Sequence, residues 1–408
     1  MSEEPMSVNP KIRAVQPNLI EHEGAPYVLL RDPLGILEGT MLMPQPLAPL
    51  LALCDGTRDI ASLQIALELY SGVRLSRENL EQVIAQLDEA LLLDNERFAR
   101  AREVSLDEFR AVECREPALS GGGYPSEPGK LKTLLKGHFD SVPEADLSAA
   151  IRGLVSPHID FHRGGPVYAQ VWQKAARAIE EIDLAIIFGT NHLGGSNLFA
   201  LTRQNYATPF GILPTAVDVV DRLADAIGHD VAFKDELYHR NEHSIELALV
   251  WLHYLLGQRK CELLPVLCGS FEPFIEWDND PLQNEEILAV IDCLQTEAKN
   301  RRTLVIAAAD LAHMGPAFGD LSPIEVAGRE EISEADDALI RSMCSCDAQS
   351  FFSEIKAEKD ARRVCGLSPI YLTLRVLGEA RGEACGYAQC PADGVNASLV
   401  SICGVVLE

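Results

Sequence analysis

The stretches DLAIIFGTNH, residues 183–192, and TLVIAAADLAH, residues 303–313, decide the fold of the greater part of this chain. Each is an almost unbroken apolar run of strand length that ends in a polar segment. Such runs are expected of strands that helices cover on both faces, because neither face then meets water. They predict two central strands of an α/β sheet.

Three further apolar runs and five helical patterns accompany these two strands. The runs are IRGLVSPH (151–158), CELLPVLCG (261–269) and LVSICGVVL (399–407). The helical patterns cover residues 165–182, 242–257, 284–299, 325–343 and 366–379. Because strands and helices alternate, we predict an α/β fold with a mostly parallel sheet and helices on both faces.

Length and charge limit the functions that this chain can have. It has 408 residues, which predicts at least two domains. Its formal net charge of -26 argues against binding nucleic acid, because an acidic surface repels phosphates. No apolar run approaches the roughly 20 residues of a membrane-spanning helix, and the polar start has no stretch like a signal peptide's. We expect a cytoplasmic protein without nucleic-acid or membrane partners.

Eleven cysteines are scattered through the sequence. An odd number, in a long chain without an export signal, argues against a disulfide framework. Most are expected to be reduced thiols that act as small buried hydrophobes. Cys344 and Cys346, the closest pair, are expected on an ordinary helix and not in a metal or redox site.

The first hundred residues predict a small separate domain. Residues 1–26 show no regular pattern, and a short strand follows at 27–31. Next come helical patterns at 46–54, 59–72 and 76–91, and then LLLDNERF (91–98), which suggests a strand and turn. This order is typical of a winged helix. Residues 1–100 hold eight Lys or Arg against fifteen Asp or Glu, so a helix held on DNA phosphates is not expected.

A resemblance gives this domain a different role. The segment LCDGTRDIASLQIAL (53–67) resembles the PqqD-like domains, which hold a peptide strand against a sheet edge. The resemblance implies a peptide ligand for residues 1–102, and a docking or structural domain without a ligand is the alternative. The charged, then Gly- and Pro-rich junction predicts a linker at 103–118, so the α/β domain covers 119–408.

Three predicted strands end next to a histidine. His158 ends the run 151–158, and His192 ends the run 183–192. His313 ends the run 303–313, in which Asp310 stands between the strand and the histidine. Ligands bind beyond the carboxyl ends of parallel strands, which lie at one edge of the sheet. The pattern therefore predicts a metal or acid–base site at this edge.

Two more candidates stand at the starts of predicted helices. His243, in EHSIE (242–246), can reach the same edge of the sheet. Cys365 precedes the helix LSPIYLTLRVLG (367–378), whose dipole favours a thiolate. Two imidazoles and a thiolate suit Fe(II), Cu or Zn, and the sequence does not choose among these metals.

Two other histidines are not expected to bind metal. His253 lies among apolar residues of a predicted helix and is interpreted as a packed histidine. His162 stands four residues after His158, but in a predicted loop with Gly164 and Gly165. The spacing of four residues favours a metal site only on a helix, so His162 is set aside.

Seven segments, in order, resemble the elements of the Memo family, which is called AmmeMemoRadiSam system protein B in bacteria. They are LSGGGYPSEPGKLKTLLKGHF (119–139), SPHIDFHRGGPVYA (156–169), IIFGTNH (186–192), EHSIE (242–246), LLPVLCG (263–269), AADLAHMG (308–315) and CGLSPI (365–370). Each segment alone is weak, but the ordered set is specific and extends over about 290 residues.

The resemblance implies a fold similar to that of the class III extradiol dioxygenases, which use non-heme Fe(II). It implies metal ligands at three positions and catalytic or pocket-lining residues at three others. The metal ligands are His158, His192 and Cys365, and the other residues are Asp310, His313 and His243.

The chain departs from the family's pattern around two of these histidines. Alanines at 308 and 309 stand where the family has two serines, and Ala312 and Met314 differ on either side of His313. Ile-Asp-Phe at 159–161 replaces the Ala-Gly-Tyr that follows the first histidine in the family. The ligand set is kept, but the family's substrate cannot be transferred to this chain.

Two functional hypotheses of different classes follow. The first is a redox enzyme that depends on non-heme iron and acts on a peptide or small molecule, with His313, oriented by Asp310, as acid–base and His243 orienting the substrate. The second is a metal-binding or peptide-binding scaffold that partners a radical-SAM protein without catalysis of its own. A metallohydrolase ranks third.

Overall fold

A computed structural model of the chain describes residues 9–37, 39–195 and 197–408. The chain divides into two compact units, Met1–Val112 and Glu113–Glu408. All eleven cysteines are free thiols. Among the described residues, no helix is both long enough and apolar enough to cross a bilayer.

The first unit combines a small antiparallel sheet with helices. Its strands, in the sheet order β1-β2-β3, are β1 Gln16–His22, β2 Ala25–Arg31 and β3 Met41–Pro44. Its helices are α1 Leu50–Leu53, α2 Ile60–Ser71, α3 Arg77–Glu89 and α4 Glu96–Ala111. Asp59 and Ser76 cap α2 and α3 as predicted, each by accepting a backbone N–H.

The region predicted to be irregular contains a β-hairpin. Residues 1–8 lie outside the described residues, but β1 and β2 pair across Glu23 and Gly24. These two residues have φ angles of 52° and 77°, as a tight two-residue hairpin turn requires. The prediction missed β1 because most of its side chains are exposed and the strand lacks an apolar run.

The prediction for LLLDNERF was wrong. Leu93 makes only an isolated bridge to Ile12, and the end of the segment, from Glu96, belongs to α4. Asn95 begins this helix because its side chain accepts the N–H of Phe98. The winged-helix and PqqD-like interpretation of the first unit stays a prediction.

The boundary between the units, after Val112, falls within the stretch predicted as a linker. This stretch contains regular structure, since α4 continues to Ala111 and β4, Cys114–Arg115, follows. Arg115 is 1% exposed, so a buried charge stands near the start of the second unit.

The second unit is a larger sheet flanked by helices. After β4, its strands are β5 Gly153–Ser156, β6 Leu184–Thr190, β7 Phe199–Leu201, β8 Asn205–Thr208, β9 Gly211–Leu213, β10 Glu262–Cys268, β11 Thr303–Ala308, β12 His313–Met314, β13 Gly382–Pro391 and β14 Leu399–Leu407. Its helices are α5 Pro128–Asp140, α6 Phe161–Ile179, α7 Val217–Ile227, α8 His229–Ala232, α9 Ser244–Leu256, α10 Glu272–Glu276, α11 Glu285–Asn300, α12 Val326–Cys344, α13 Ala348–Ala357 and α14 Leu367–Leu377. Every strand and helix predicted for this part of the chain is present.

The order of the main sheet is β12-β14-β5-β11-β6-β10-β7, and β13 also pairs with β14. Its four central strands, β5, β11, β6 and β10, run parallel, which confirms the α/β prediction. Both edges are antiparallel, because β7 joins β10 and β14 joins β5 in that sense. A separate small sheet has the order β4-β8-β9.

Helices cover both faces of this sheet, as predicted. On one face, Leu184, Ile186 and Phe188 of β6 join a core with α7, α11, α12, α13 and α14. On the other face, α9 packs on β6 and β11, and α6 packs on β5 and β14. Solvent is therefore excluded from both faces of the central strands. Polar side chains that bind ligands are expected at the ends of these strands.

Helix α6 begins earlier than the sequence suggested. His162, Gly164 and Gly165 were placed in a loop, but all three lie in α6, which Asp160 caps. A Cβ on Gly165 would lie 2.1 Å from the His138 ring, so glycine at this position allows α5 to pack on α6. The His162 side chain is exposed and belongs to no metal-ligand group among the described residues.

Candidate metal centre

Three neighbouring strands place the residues that follow them side by side. β5, β11 and β6 are adjacent in the sheet. His158, Asp310 and His192 each stand two residues beyond the end of one of these strands. The structure therefore brings these side chains to the carboxyl edge of the sheet, where the sequence predicted a site.

His158 is held from two sides and is 2% exposed. Its backbone N–H donates to Oδ1 of Asp310 at 2.8 Å. Its Nδ1 lies 2.8 Å from the carbonyl oxygen of Ala308, which can only accept, so Nδ1 carries a proton. Nε2 is thereby left for a ligand, and it lies 3.3 Å from Sγ of Cys365.

Glu242 orients His192. One carboxylate oxygen accepts the backbone N–H of His192 at 2.8 Å, and the other lies 3.1 Å from Nδ1 of its ring. The same carboxylate accepts the backbone N–H groups of His243 and Ser244, at 2.8 and 2.9 Å. Carboxylate–histidine pairs of this kind fix the ring in metal sites and leave its second nitrogen for the ion.

Backbone contacts position Cys365. The hydroxyl of Thr190 donates to the carbonyl oxygen of Cys365 at 2.9 Å. The N–H of Gly366 donates to the carbonyl oxygen of Asp310 at 3.0 Å. A Cβ on Gly366 would lie 2.5 Å from that oxygen, so glycine is needed for this close approach. The Cys-Gly pair thus sets Sγ beside the histidines.

The ligand atoms of His158, His192 and Cys365 lie within 4.8 Å of one another. A second group, formed by His192, Glu242 and His243, meets the same limit. We favour the first group, because three backbone N–H groups and the imidazoles of His192 and His243 already engage the Glu242 carboxylate. Two imidazoles and a thiolate also form a donor set that suits a transition metal.

One side of this centre faces solvent. The side chains of His192 and His243 are 30% and 37% exposed. Their rings stack at 14° with centroids 5.0 Å apart, and the His243 ring lies 5.8 Å from that of His158. Burial among these groups lowers the pKa of His243 to about 4, so its imidazole is neutral near pH 7. His243 thus lines the accessible side of the pocket.

A cavity of about 240 Å³ adjoins the centre beside Cys365. Its lining includes the polar side chains of Asn191, Asp360 and Arg363. Burial raises the pKa of the Asp360 carboxyl to about 6, against the effect of its bond from the Val364 N–H. A small molecule therefore has room, and polar partners, next to the thiol.

His313 and Asp310 do not form the pair that the sequence suggested. Nδ1 of His313 lies 3.0 Å from the carbonyl oxygen of Leu311, because the chain turns after Asp310 and brings His313 into β12 beside β14. Asp310 serves His158 instead, with Oδ1 on its N–H and Oδ2 3.7 Å from its Nε2. His313 lies outside the group of three, although its charge still acts on Cys365.

The surroundings of Cys365 favour its thiolate. Burial alone would raise the pKa of the thiol. The positive charges of His158 and His313, with hydrogen bonds from His158 and His192, outweigh that effect and lower the pKa to about 5. Cys365 was singled out because it precedes a helix, but the structure shows that imidazoles are its main electrostatic partners.

The pKa values of the two candidate ligand histidines are shifted in the opposite direction, upwards. Burial alone would lower the pKa of each ring. The charges of Asp310 and Cys365 raise the pKa of His158 to about 9. Glu242, together with Cys365, holds the pKa of His192 well above its usual value. Metal binding at these nitrogens would release the protons, so affinity should depend on pH.

The motif EHSIE (242–246) ties α9 to the strand that carries His192. The hydroxyl of Ser244 donates to the carbonyl oxygen of Thr190 at 2.9 Å. A Cβ on Gly189 would lie 2.5 Å from Ile245 and 2.6 Å from Ser244 Oγ, so the strand needs glycine where α9 begins.

Arg115 and Glu246 form an ion pair beneath this motif, and both side chains are 0% exposed. Arg115 also donates to the backbone carbonyls of His239 and Glu242, at 2.9 and 2.6 Å. Glu246 accepts the hydroxyl of Tyr124 at 2.5 Å. The ion pair therefore holds the backbone of the loop 239–242, from which the Glu242 side chain reaches His192.

Sequence reasoning missed Glu242 and Arg115 as parts of the site. Glu242 stood in a quoted motif beside His243, and a carboxylate just before a helix is a signal that it can accept the first backbone N–H groups. Arg115 stood in the predicted linker, and no local pattern connects it with Glu246, 131 residues further along the chain.

The alanines at 308 and 309 do not disturb the candidate ligand residues. Ala308 and Ala309 are both 0% exposed, and Ala309 belongs to the core on one face of the sheet. Ala308 contributes to the site only through its carbonyl oxygen, which binds Nδ1 of His158. Any residue supplies that group, so alanine at this position leaves His158 oriented.

The family model for Memo-like proteins matches residues 115–406. The chain belongs to this family. The match spans every residue of the candidate metal centre and lies within the second unit. The Memo-like assignment made from seven segments is thus confirmed, and so is its mixed α/β fold, the type shared with class III extradiol dioxygenases.

Relatives of two lengths match this Memo-like chain. A MEMO1 family protein of Aquifex aeolicus is 28% identical over 405 residues, which are 98% of this chain and 100% of that protein. MEMO1 family proteins of Methanosarcina mazei and Methanosarcina acetivorans are each 27% identical, over 304 and 301 residues. These archaeal proteins align over 100% of their length with 73% of this chain, so only the Aquifex protein of these three also spans the first unit.

Proposed function

We propose that this Memo-like protein is a redox enzyme that depends on a divalent metal, most suitably iron(II), and acts on a peptide or a small molecule. One observation carries the proposal. Three ligand atoms, from His158, His192 and Cys365, converge within 4.8 Å, while both imidazoles have Nδ1 engaged elsewhere. This is the arrangement in which protein histidines present Nε2 to a metal.

When bound, iron(II) would supply one-electron chemistry with O₂, and three protein ligands leave positions for other groups. The protein keeps the ligands in place. Glu242 holds the His192 ring, and Asp310 holds the backbone of His158. The cavity beside Cys365 admits a small substrate or the end of a peptide.

Two further histidines would act on the substrate. His313 has Nδ1 on the Leu311 carbonyl, so Nε2 is the nitrogen that can accept and return a proton. His243 is neutral near pH 7 and partly exposed, so it can orient a polar group at the open side of the pocket.

A peptide ligand for the first unit is the second part of the proposal. β1 pairs only with β2 among the described residues, so its outer edge offers free backbone groups to an added strand. The same edge would serve the alternative function, in which the protein is a binding partner of a radical-SAM protein without its own catalysis. We place the protein in the cytoplasm, whose reducing conditions suit eleven free thiols.

Metal analysis after anaerobic purification tests the enzyme proposal. We expect about one iron per chain in the wild type, loss of iron in His192→Ala, and retention in His229→Ala, because His229 is exposed and pairs with Asp225. An electron paramagnetic resonance signal on adding nitric oxide would support an accessible redox site. Zinc instead of iron would favour a hydrolase or structural site, and metal in neither variant nor wild type would refute the centre.

Co-purification with a radical-SAM protein from the same genome tests the partner. The full chain is compared with a chain that starts at Glu113, a length near that of the archaeal relatives. Retention by the full chain alone would assign the contact to the first unit. Retention of neither chain would leave the metal centre without that partner.

A further inference from the structure

A second cavity, of about 690 Å³, lies at the other end of the sheet from the metal centre. Its lining includes residues at the amino ends of three central strands, namely Asp183 before β6, Glu262 at the start of β10 and Arg301 before β11. The last turn of α9 and strand β9 complete the wall. The volume falls in the range of sites that enclose a small organic ligand.

A buried histidine lines this cavity. His253 is 7% exposed, and its Nδ1 lies 2.7 Å from the hydroxyl oxygen of Thr208. That oxygen also accepts the N–H of Phe210 at 3.1 Å, so its own proton is available to Nδ1. A neutral imidazole that accepts at Nδ1 carries its proton on Nε2. His253 therefore has an N–H donor without another hydrogen bond in the described part of the chain.

Basic side chains surround the same space. Lys260, Arg259 and Arg301 all line it. Arg259 and Arg301 form ion pairs with carboxylates, at 3.2 and 2.6 Å, whereas Lys260 makes none with any residue that the structure describes. In a chain with a net charge of -26, a pocket whose lining holds an ammonium group outside any described ion pair favours an anion.

The acidic residues of the lining are already neutralised. Glu262 pairs with Arg301 at 2.6 Å, and Asp183 receives two hydrogen bonds from Arg302, at 2.8 and 3.0 Å. Neither carboxylate therefore needs a cation from outside. The Lys260 ammonium and the His253 N–H are donors, and the Gln258 amide offers both a donor and an acceptor, so the lining favours an anion over a cation.

One wall of the cavity is apolar. Phe210, Ile212 and Pro214 belong to it, and the Phe210 ring lies edge-on to His253 with centroids 6.0 Å apart. Ile212 is 42% exposed. A ligand that covered it would remove this apolar surface from water. Gly211 between them has a φ of 132°, which keeps a side chain out of the space in front of His253.

We propose that this cavity binds a small organic anion, with a carboxylate held by Lys260 and Nε2–H of His253 and an aromatic or apolar body against Phe210 and Ile212. The binding site is separate from the metal centre and does not depend on it. Burial lowers the pKa of His253 to about 4, so the imidazole acts as a neutral donor near pH 7. The charge that selects an anion comes from Lys260.

The test uses the full chain, labelled with ¹⁵N at its histidine side chains, and benzoate as the probe. We expect the Nε2 signal of His253 to shift saturably with a dissociation constant of about 1 mM or below. Lys260→Gln should weaken binding about threefold to fivefold. Lys132→Gln, which removes the same charge from an exposed position on α5, should leave the constant unchanged.

Further arms keep the outcome decisive. Benzylamine, which has the same ring and the opposite charge, should not shift the His253 signal. Ile212→Trp narrows the mouth of the cavity from an exposed position and should abolish binding without the folding risk of replacing His253. The proposal fails if benzoate leaves the His253 signal in place, if benzylamine binds as well, or if the two lysine variants behave alike.

Discussion

Arg115 and Glu246 form an ion pair from which solvent is fully excluded, although 131 positions separate them in the chain. The pair joins the entry of the second unit to the helix that carries the EHSIE motif. Arg115 also binds the backbone carbonyl of Glu242, so the pair supports the residue that orients His192. One guanidinium group thus binds both the buried Glu246 carboxylate and the backbone of Glu242, the residue that orients His192 in the candidate metal centre.

Removing one partner of this pair should destabilise the second unit. We expect Arg115→Met to lower the free energy of unfolding by about 3–5 kcal/mol, because the Glu246 charge stays buried without its counter-ion. Urea titration followed by tryptophan fluorescence measures this loss in the second unit alone, since Trp172, Trp251 and Trp277 all belong to it.

The matched control is Lys136→Met, which breaks a pair with Asp140 whose side chains are both more than 60% exposed. Its loss of stability should be far smaller than that of Arg115→Met, because water solvates both charges of an exposed pair. The double variant Arg115→Met with Glu246→Leu should recover part of the loss. Equal losses for the buried and the exposed pair would contradict this view of Arg115.

Glu242→Gln should weaken metal binding without removing a ligand. The amide is close in size to the carboxylate but cannot hold the His192 ring by charge, and loss of such a partner costs about 10–100-fold in metal affinity. Competition with a chelator at pH 7 measures this change. Glu334→Gln, at an exposed position of α12, should match the wild type, and an unchanged affinity in Glu242→Gln would remove Glu242 from the site.

Gly366→Ala should disturb the site through a single methyl group. The new Cβ would lie 2.5 Å from the backbone oxygen of Asp310, so Cys365 or Asp310 must move, at a cost of about 1–3 kcal/mol. Gly137→Ala is the control, because nothing lies within 4 Å of its Cβ position in α5 and the change should stabilise the helix by about 0.5–1 kcal/mol. Opposite signs in urea unfolding are expected, and a stabilised Gly366→Ala would be contrary evidence.

The stability of the second unit should fall in mild acid because of His239. This residue is 0% exposed and sits between the Tyr206 hydroxyl and the Ala200 carbonyl oxygen. Burial lowers the pKa of His239 to about 4. The unfolded chain, with a histidine pKa of about 6.5, binds a proton before the folded chain does, so stability is complete above pH 6.5 and declines towards pH 4.

Between pH 7 and pH 5 this one group should cost about 2 kcal/mol of unfolding free energy. His239→Gln should be less stable at pH 7 and should show a smaller decline between the two pH values. His229→Gln changes an exposed histidine and should keep the decline of the wild type. If all three proteins lose the same free energy, His239 does not titrate as described.

Local patterns were enough to predict the centre of the fold. Apolar runs mark buried parallel strands, and the residue that follows such a strand lies at the ligand-binding edge, so His158 and His192 could be placed without any knowledge of distant contacts. Cys365 was also found from a local pattern, namely its position just before a predicted helix. The sequence also anticipated that His253 would be packed.

Long-range pairing explains most of what was missed. The run of β14 is as apolar as that of a parallel strand, but it pairs antiparallel with β5, which no local signal states. The turn after Asp310 places His313 in β12, and that pairing takes it away from Asp310. The buried pair of Arg115 and Glu246 depends on a closure of the chain that only the folded sheet provides.

Helix α9 has a consequence for how the chain is made. Nearly all of its residues are buried, so it would be insoluble as an isolated segment. Of the elements with which it has its main contacts in the described part of the chain, α6, β6 and β8 come earlier and β11 comes later. Synthesis proceeds from the amino terminus. When α9 leaves the ribosome, most of the elements that bury its apolar surface have therefore already been made.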